Sequence, residues 1–239
     1  QSGNSGSAFA INATTGVITV NNSASLNFET IPLFTLVILA VDNGIPALSV
    51  TANAVINLNN VNEPPSMIGK TFAINENAAN GSLAGTMVAT NPDFGQTITF
   101  SIQSGNTGSA FAINSTTGAI TVNNSAALNF ETTPVFTLVI QALDNGVPAL
   151  SASANAVINL NNVNEPPLMS AQTFAINENA AAGTTVGTMV ATNPDQGQTI
   201  VYSIQSGNTG SAFAINSTTG AITVSSSTAL NFETTPVFT

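Results

Sequence analysis

The chain has 239 residues, enough for about two ordinary domains, and 43% of them are hydrophobic, so each domain can bury a core. Only 5% are charged: one Lys, no Arg, no His and eleven acids, for a net charge of −10. Without a basic patch the chain cannot neutralise phosphates, which excludes nucleic acid and argues against anionic membranes; without cysteine it has no disulfide, zinc-thiolate site or thiol nucleophile.

The chain opens on SGNSGSAFAINATTGVITV, Ser2–Val20. Near-copies follow at Ser104–Val122 and Ser206–Val224, so Phe9, Phe111 and Phe213 stand 102 residues apart. That period is one domain, not one turn of a solenoid. The string NLNNVNEPP ends the first copy at Asn57–Pro65 and returns at Asn159–Pro167. Its double proline stops a strand and stiffens the exit. The expected division is a C-terminal part of a repeat in residues 1–64, a complete repeat in 65–166 and an N-terminal part in 167–239. The sequence thus reads as a window cut from something longer.

Within the complete repeat, alternation predicts strands at Thr71–Glu76, Leu83–Ala89, Thr97–Ile102 and Ala119–Val122. Longer apolar runs predict two more at Val135–Leu143 and Ser153–Leu160. Gly, Asn, Asp, Ser and Pro clusters separate them, and no window carries a helical stripe. About seven short strands in about 100 residues read as an all-β, Greek-key, immunoglobulin-like β-sandwich. The expected core is Phe72, Ile74, Val88, Ile98, Phe100, Phe111, Ile113, Ile120, Val122, Leu138, Ile140 and Ile158. No run of about 20 apolar residues would span a membrane.

Every acid sits at a repeated place. The classes are Glu29/Glu131/Glu233, Asp42/Asp144, Glu63/Glu165, Glu76/Glu178 and Asp93/Asp195, with none left over. A merely solubilising acid would drift between copies. Taken alone, Asp144-Asn145-Gly146 is also a turn sequence. Glu131 and Glu233 could be loop carboxylates, and Glu165 a solvated linker acid. None of these readings explains why the rest of the surface lacks acids.

Five strings, in order and at domain period, resemble the calcium motifs of cadherin repeats. They are Ile74-Asn75-Glu76-Asn77, Leu128-Asn129-Phe130-Glu131, Ala142-Leu143-Asp144-Asn145-Gly146, Asn162-Val163-Asn164-Glu165-Pro166-Pro167 and Ala191-Thr192-Asn193-Pro194-Asp195. The resemblance covers the whole chain and implies tandem cadherin-type sandwiches whose ligands meet at junctions. The second junction would collect Glu76, Asn129, Glu131, Asn162, Asn164, Glu165, Asn193 and Asp195, with its last Asp past Thr239. The first would collect Asn27, Glu29, Asn60, Asn62, Glu63, Asn91, Asp93 and Asp144, with its first-strand Glu before Gln1. Asp42 would serve a junction upstream.

The implied cofactor is Ca²⁺, which takes about 6–8 oxygen ligands. The family usually has Asp where this chain has Asn129, Asn162 and Asn193, so one or two ions per junction are expected, in the weak extracellular range of about 10⁻⁴–10⁻³ M. The function this implies is a calcium-stiffened, extracellular stalk of a cell-surface adhesin, of bacterial type. Its partners would be neighbouring repeats and other copies. The alternative is a subunit of a self-assembling extracellular fibre, since a nearly uncharged surface lacks repulsion between monomers. A sugar-binding module is disfavoured because Tyr202 is the only Trp or Tyr.

No enzyme is expected: His and Cys are absent, and SGNTGSAF lacks the Lys and helix of a phosphate loop. Lys70 could suggest an isopeptide cross-link, but its counterpart is Gln172. Asn-x-Ser/Thr sequons occur at Asn12, Asn21, Asn80, Asn114, Asn123 and Asn216, as expected in an Asn/Ser/Thr-rich chain.

Overall fold

The computed structural model describes residues 2–239. In chain order the strands are β1 (Phe9–Ile11), β2 (Ile18–Val20), β3 (Leu33–Val41), β4 (Ser49–Asn57), β5 (Ser66–Met67), β6 (Lys70–Asn75), β7 (Leu83–Thr86), β8 (Ala89–Thr90) and β9 (Ile98–Ser104). There follow β10 (Phe111–Ile113), β11 (Ala119–Val122), β12 (Val135–Asp144), β13 (Ser151–Asn161), β14 (Leu168–Met169), β15 (Thr185–Thr188), β16 (Ala191–Thr192), β17 (Phe213–Ile215) and β18 (Ala221–Val224). Among the described residues helix is limited to three-residue 3₁₀ turns, and no helix is long and apolar enough to cross a membrane.

The chain forms two compact units. One takes Gln1–Ile74, Ala78–Ala127 and Val135–Asn159; the other takes Asn75–Asn77, Leu128–Pro134 and Leu160–Thr239.

The first unit holds most of the complete repeat. One sheet has the order β6-β13-β12-β9 and a second has β10-β11-β7. All of the paired strands described are antiparallel, and β12 and β13 run in unbroken register from Val135↔Asn159 to Leu143↔Ser151. A strand turns alternate side chains to opposite faces. Along β12 this buries Phe136, Leu138, Ile140 and Ala142, and then Asp144 at the strand's end. The same parity on β6 carries Phe72 and Ile74 inward and sets up Glu76 just past the strand, 2% exposed.

The two sheets meet through Phe111 of β10 and Phe136 of β12, whose rings pack edge to face with centroids 5.2 Å apart. Such a pair contributes about 0.5–1.5 kcal/mol beyond its buried area. Phe9 and Phe34 repeat the arrangement at 5.2 Å, beside the β1–β2 and β3–β4 hairpins of the first copy. At Gly85 of β7 the Phe72 ring lies where a Cβ would stand.

In the second unit β15-β18-β17 form a sheet and β14 pairs with β16. Ala212, Val224 and Leu230 form its core, with Ile176, Val186, Phe213 and Phe238 packed against them. The counterparts of β6 and β9, near residues 172–177 and 200–206, are not in ladders. In the first unit those strands hang on β13 and β12.

The expected strands form with shifted ends. Leu83–Ala89 is interrupted: β7 stops at Thr86 and β8 starts at Ala89. Met87 between them is buried, so its neighbour Val88, expected in the core, points outward and is 56% exposed. Phe72, Ile74, Ile98 and Ile113 are half-buried, and the other seven expected core residues are buried.

Candidate metal centres

In the second unit the site begins with Glu76. Its backbone N–H donates to Asn161 O at 3.0 Å, closing the end of β6. Its carboxylate then accepts two backbone N–H groups, Val163 to Oε1 and Phe130 to Oε2, each at 2.7 Å. One acid thereby pins both the linker and the Leu128–Pro134 turn. Asn77 adopts positive φ and reaches back, its Nδ2 donating to Glu165 Oε1 at 2.7 Å. Glu165 is held in turn by Asp195: the Glu165 N–H donates to Asp195 Oδ2 at 2.8 Å.

Glu76, Glu131 and Glu165 each offer an oxygen, and these lie within 4.8 Å of one another. Both Glu131 oxygens, Glu165 Oε2 and Asp195 Oδ1 are buried without a hydrogen-bond partner. The dipole of its own nearby backbone N–H, which makes no hydrogen bond to it, draws the Glu131 carboxyl down. Burial and the charges of Glu76, Glu165 and Asp195 outweigh this and hold it above the usual range.

The first unit repeats the design. Glu29, Glu63 and Asp93 bring oxygens within 4.8 Å of one another. The Glu63 N–H donates to Asp93 Oδ2 at 2.9 Å, and Asn60 Nδ2 donates to Asp93 Oδ1 at 2.9 Å. Both Glu29 oxygens and Glu63 Oε2 are buried and unpartnered. Burial first, then the charges of Glu29 and Asp93, push the Glu63 carboxyl up.

The expected Asn ligands have other occupations. Asn27 and Asn129 cap their own turns: Oδ1 accepts from the Thr30 and Thr132 N–H, each at 2.8 Å. The Oδ1 atoms of Asn91 and Asn193 accept the N–H of Asp93 and Asp195, each at 3.0 Å. The Oδ1 atoms of Asn62 and Asn164 accept from Gln96 at 2.6 Å and Gln198 at 2.7 Å. Asn162, its side chain exposed, is not drawn into the cluster. Asp144 is 3% exposed and fully hydrogen-bonded rather than orphaned. Gln96, Gln198 and Asn77 were not expected from the sequence. The signal was available for the glutamines, which recur five residues after Asn91 and Asn193.

Buried, clustered, unpartnered carboxylate oxygens are costly unless a cation joins them. The donors are all hard oxygens, which suits Ca²⁺ or Mg²⁺ and not a softer metal. With three or four carboxylate groups per cluster, the set fits calcium.

The family model described as Cadherin domain matches residues 1–59, 70–161 and 172–239. The chain belongs to the cadherin family. Among its relatives, the Fat-like cadherin-related tumor suppressor homolog of Drosophila melanogaster is 33% identical over 227 residues, covering 91% of this chain and 5% of that protein. Human Protocadherin-7 is 30% identical over 211 residues, covering 85% of this chain and 20% of that protein. The crystal structure of mouse Cadherin-23 EC22-24 superposes with a TM-score of 0.68 at 26% identity, covering 90% of this chain and 71% of that chain. These cadherin repeats therefore span a small part of the curated relatives, which are animal proteins and not bacterial adhesins.

Proposed function

We propose that this chain is a calcium-stiffened spacer in the extracellular region of a cell-surface adhesion protein, and that it does no chemistry on a substrate. Glu29, Glu63 and Asp93 would hold the cation in the first centre, and Glu76, Glu131, Glu165 and Asp195 in the second. The observation that carries the reading is the set of buried, partnerless carboxylate oxygens at both centres. Without a cation those charges repel, and the linker glutamates Glu63 and Glu165 are pushed apart from the acids they face. With one they close around it. Family membership supports a role in adhesion.

Calorimetric calcium titration with melting in calcium and in EDTA tests this. At 100 times the dissociation constant, binding adds about 2.7 kcal/mol, a rise of about 10–20 °C for a domain of this size. Identical melting and protease sensitivity in both buffers would overturn it. The fibre reading predicts ordered filaments by electron microscopy, where the spacer reading predicts isolated strings.

A further inference from the structure

Resting on that reading, we propose that cation binding is confined to the glutamate side of each centre, and that the opposite side is a metal-independent amide latch. In the first centre Asn62 is its bolt and Gln96 its keeper.

Asn62 stands in the linker string and has partners for both its amide nitrogen and its amide oxygen. Its Nδ2 donates to Asp144 Oδ2 at 3.2 Å and to Pro148 O at 2.9 Å. Its Oδ1 accepts from Gln96 Nε2 at 2.6 Å. Gln96 is fixed by Asn91, whose Nδ2 donates to Gln96 Oε1 at 3.0 Å. An amide has two donor hydrogens and one acceptor oxygen, and here each has a partner. The amide cannot be turned over, since its oxygen would then face the Asp144 carboxylate and the Pro148 carbonyl.

Asp144 is satisfied to match. Its Oδ1 accepts the N–H of Gly146 at 3.0 Å and of Leu150 at 2.8 Å, while Oδ2 takes Asn62. No Asp144 oxygen is among the buried orphans, which are on Glu29 and Glu63 in this centre. A cation approaching Asp144 would meet an amide N–H already seated on Oδ2 and no orphaned oxygen. Space has been reserved for that amide: a Cβ on Gly146 would overlap the Asn62 side chain.

The same keeper recurs one period later. Gln198 Nε2 donates to Asn164 Oδ1 at 2.7 Å, and Asn193 Nδ2 donates to Gln198 Oε1 at 3.0 Å. A linker amide held by a glutamine is thus a built feature of both copies. Its effect is to seat the linker before any cation arrives, leaving the cation to close the glutamates.

The test uses the 239-residue chain with Asn62→Ala and Asp144→Asn. The latch predicts that each variant melts about 4–8 °C lower in EDTA, the size of one lost buried hydrogen bond. It also predicts that calcium stoichiometry and affinity, by calorimetry, stay as in the parent. Asn62→Asp removes the latch and builds a carboxylate pair, so it should melt lower in EDTA and bind one more ion than the parent. An Asp144→Asn variant whose calcium affinity weakens roughly tenfold or more, with unchanged melting in EDTA, would overturn the latch and make Asp144 a ligand. A parent that binds no calcium while Asn62→Ala still melts lower in EDTA would sink the cation reading and uphold the latch.

Discussion

The Asp195 carboxylate positions Glu165 through the glutamate's backbone: the Glu165 N–H donates to Asp195 Oδ2 at 2.8 Å. Glu63 and Asp93 repeat the contact at 2.9 Å. The aspartate after the linker thus fixes where the linker glutamate stands, and the glutamate's own oxygen is left free for a cation.

That division makes Glu131 the informative position, because both its oxygens are orphaned. Glu131→Gln removes a repelled charge while keeping the shape. In EDTA the variant should melt no lower than the parent. In calcium it should lose the rise that belongs to the second centre, out of about 2.7 kcal/mol at saturating ion. Thr117→Ala on an exposed turn should do neither. Melting curves of the three proteins in both buffers check this, and equal calcium responses would remove Glu131 from the site.

The pH dependence should reverse with calcium. Glu63 and Glu131 have raised values in the fold, so above the ordinary glutamate range of about 4.3 the folded chain holds more protons than the unfolded one. Stability then falls as pH rises through that window. In EDTA the chain should therefore melt higher at pH 5 than at pH 7. In calcium the order should invert, because protons compete with the ion. Asp144 and Asp42 act in the opposite sense. Burial raises Asp144, but the N–H groups of Leu150 and Gly146 and the Asn62 amide bring it below the usual range; the N–H groups of Leu48 and Gly44 lower Asp42. Their contribution is present near neutrality and is lost as pH falls below the ordinary aspartate range. Differential scanning calorimetry at four pH values in each buffer separates the two effects.

The repeated acids were legible because the sequence is its own alignment: Glu76 and Asp144 occupy inward strand parity, visible once β6 and β12 are placed. The asparagines are ambiguous in sequence. Their residue type matches an oxygen ligand, but Asn129 in Leu128–Pro134 is also what a tight turn requires, and only geometry shows that Thr132 has its oxygen. Gln96 was overlooked for the opposite reason: it is neutral and outside the string it supports, and only its recurrence one period later as Gln198 marks it. Val88 failed because alternation across Leu83–Ala89 assumes one strand, whereas the ladder breaks at Met87.

Core and surface should part sharply at that break. Phe111 is 2% exposed and packs on Phe136, so Phe111→Ala should cost about 3–5 kcal/mol. Val88→Thr, on a side chain 56% exposed, should stay within about 0.5 kcal/mol. Urea melts of both variants in EDTA decide it. A large loss at Val88 would mean that the segment Thr86–Ala89 packs the other way round.

Gly85 tests the packing between β6 and β7 directly. Its missing side chain makes room for the Phe72 ring, and Phe72 shares the inward parity of β6 with Glu76. Gly85→Ala should therefore push that ring aside and cost about 1–3 kcal/mol. Phe72→Leu frees space, so the double variant should lose less than the sum of the two single ones, a coupling of about 0.5–3 kcal/mol. Because β6 carries Glu76 to its place, Gly85→Ala should also weaken calcium binding at the second centre, and Phe72→Leu should restore part of it. Additive losses in the urea melts, with calcium affinity untouched, would show that the ring and the glutamate are set independently.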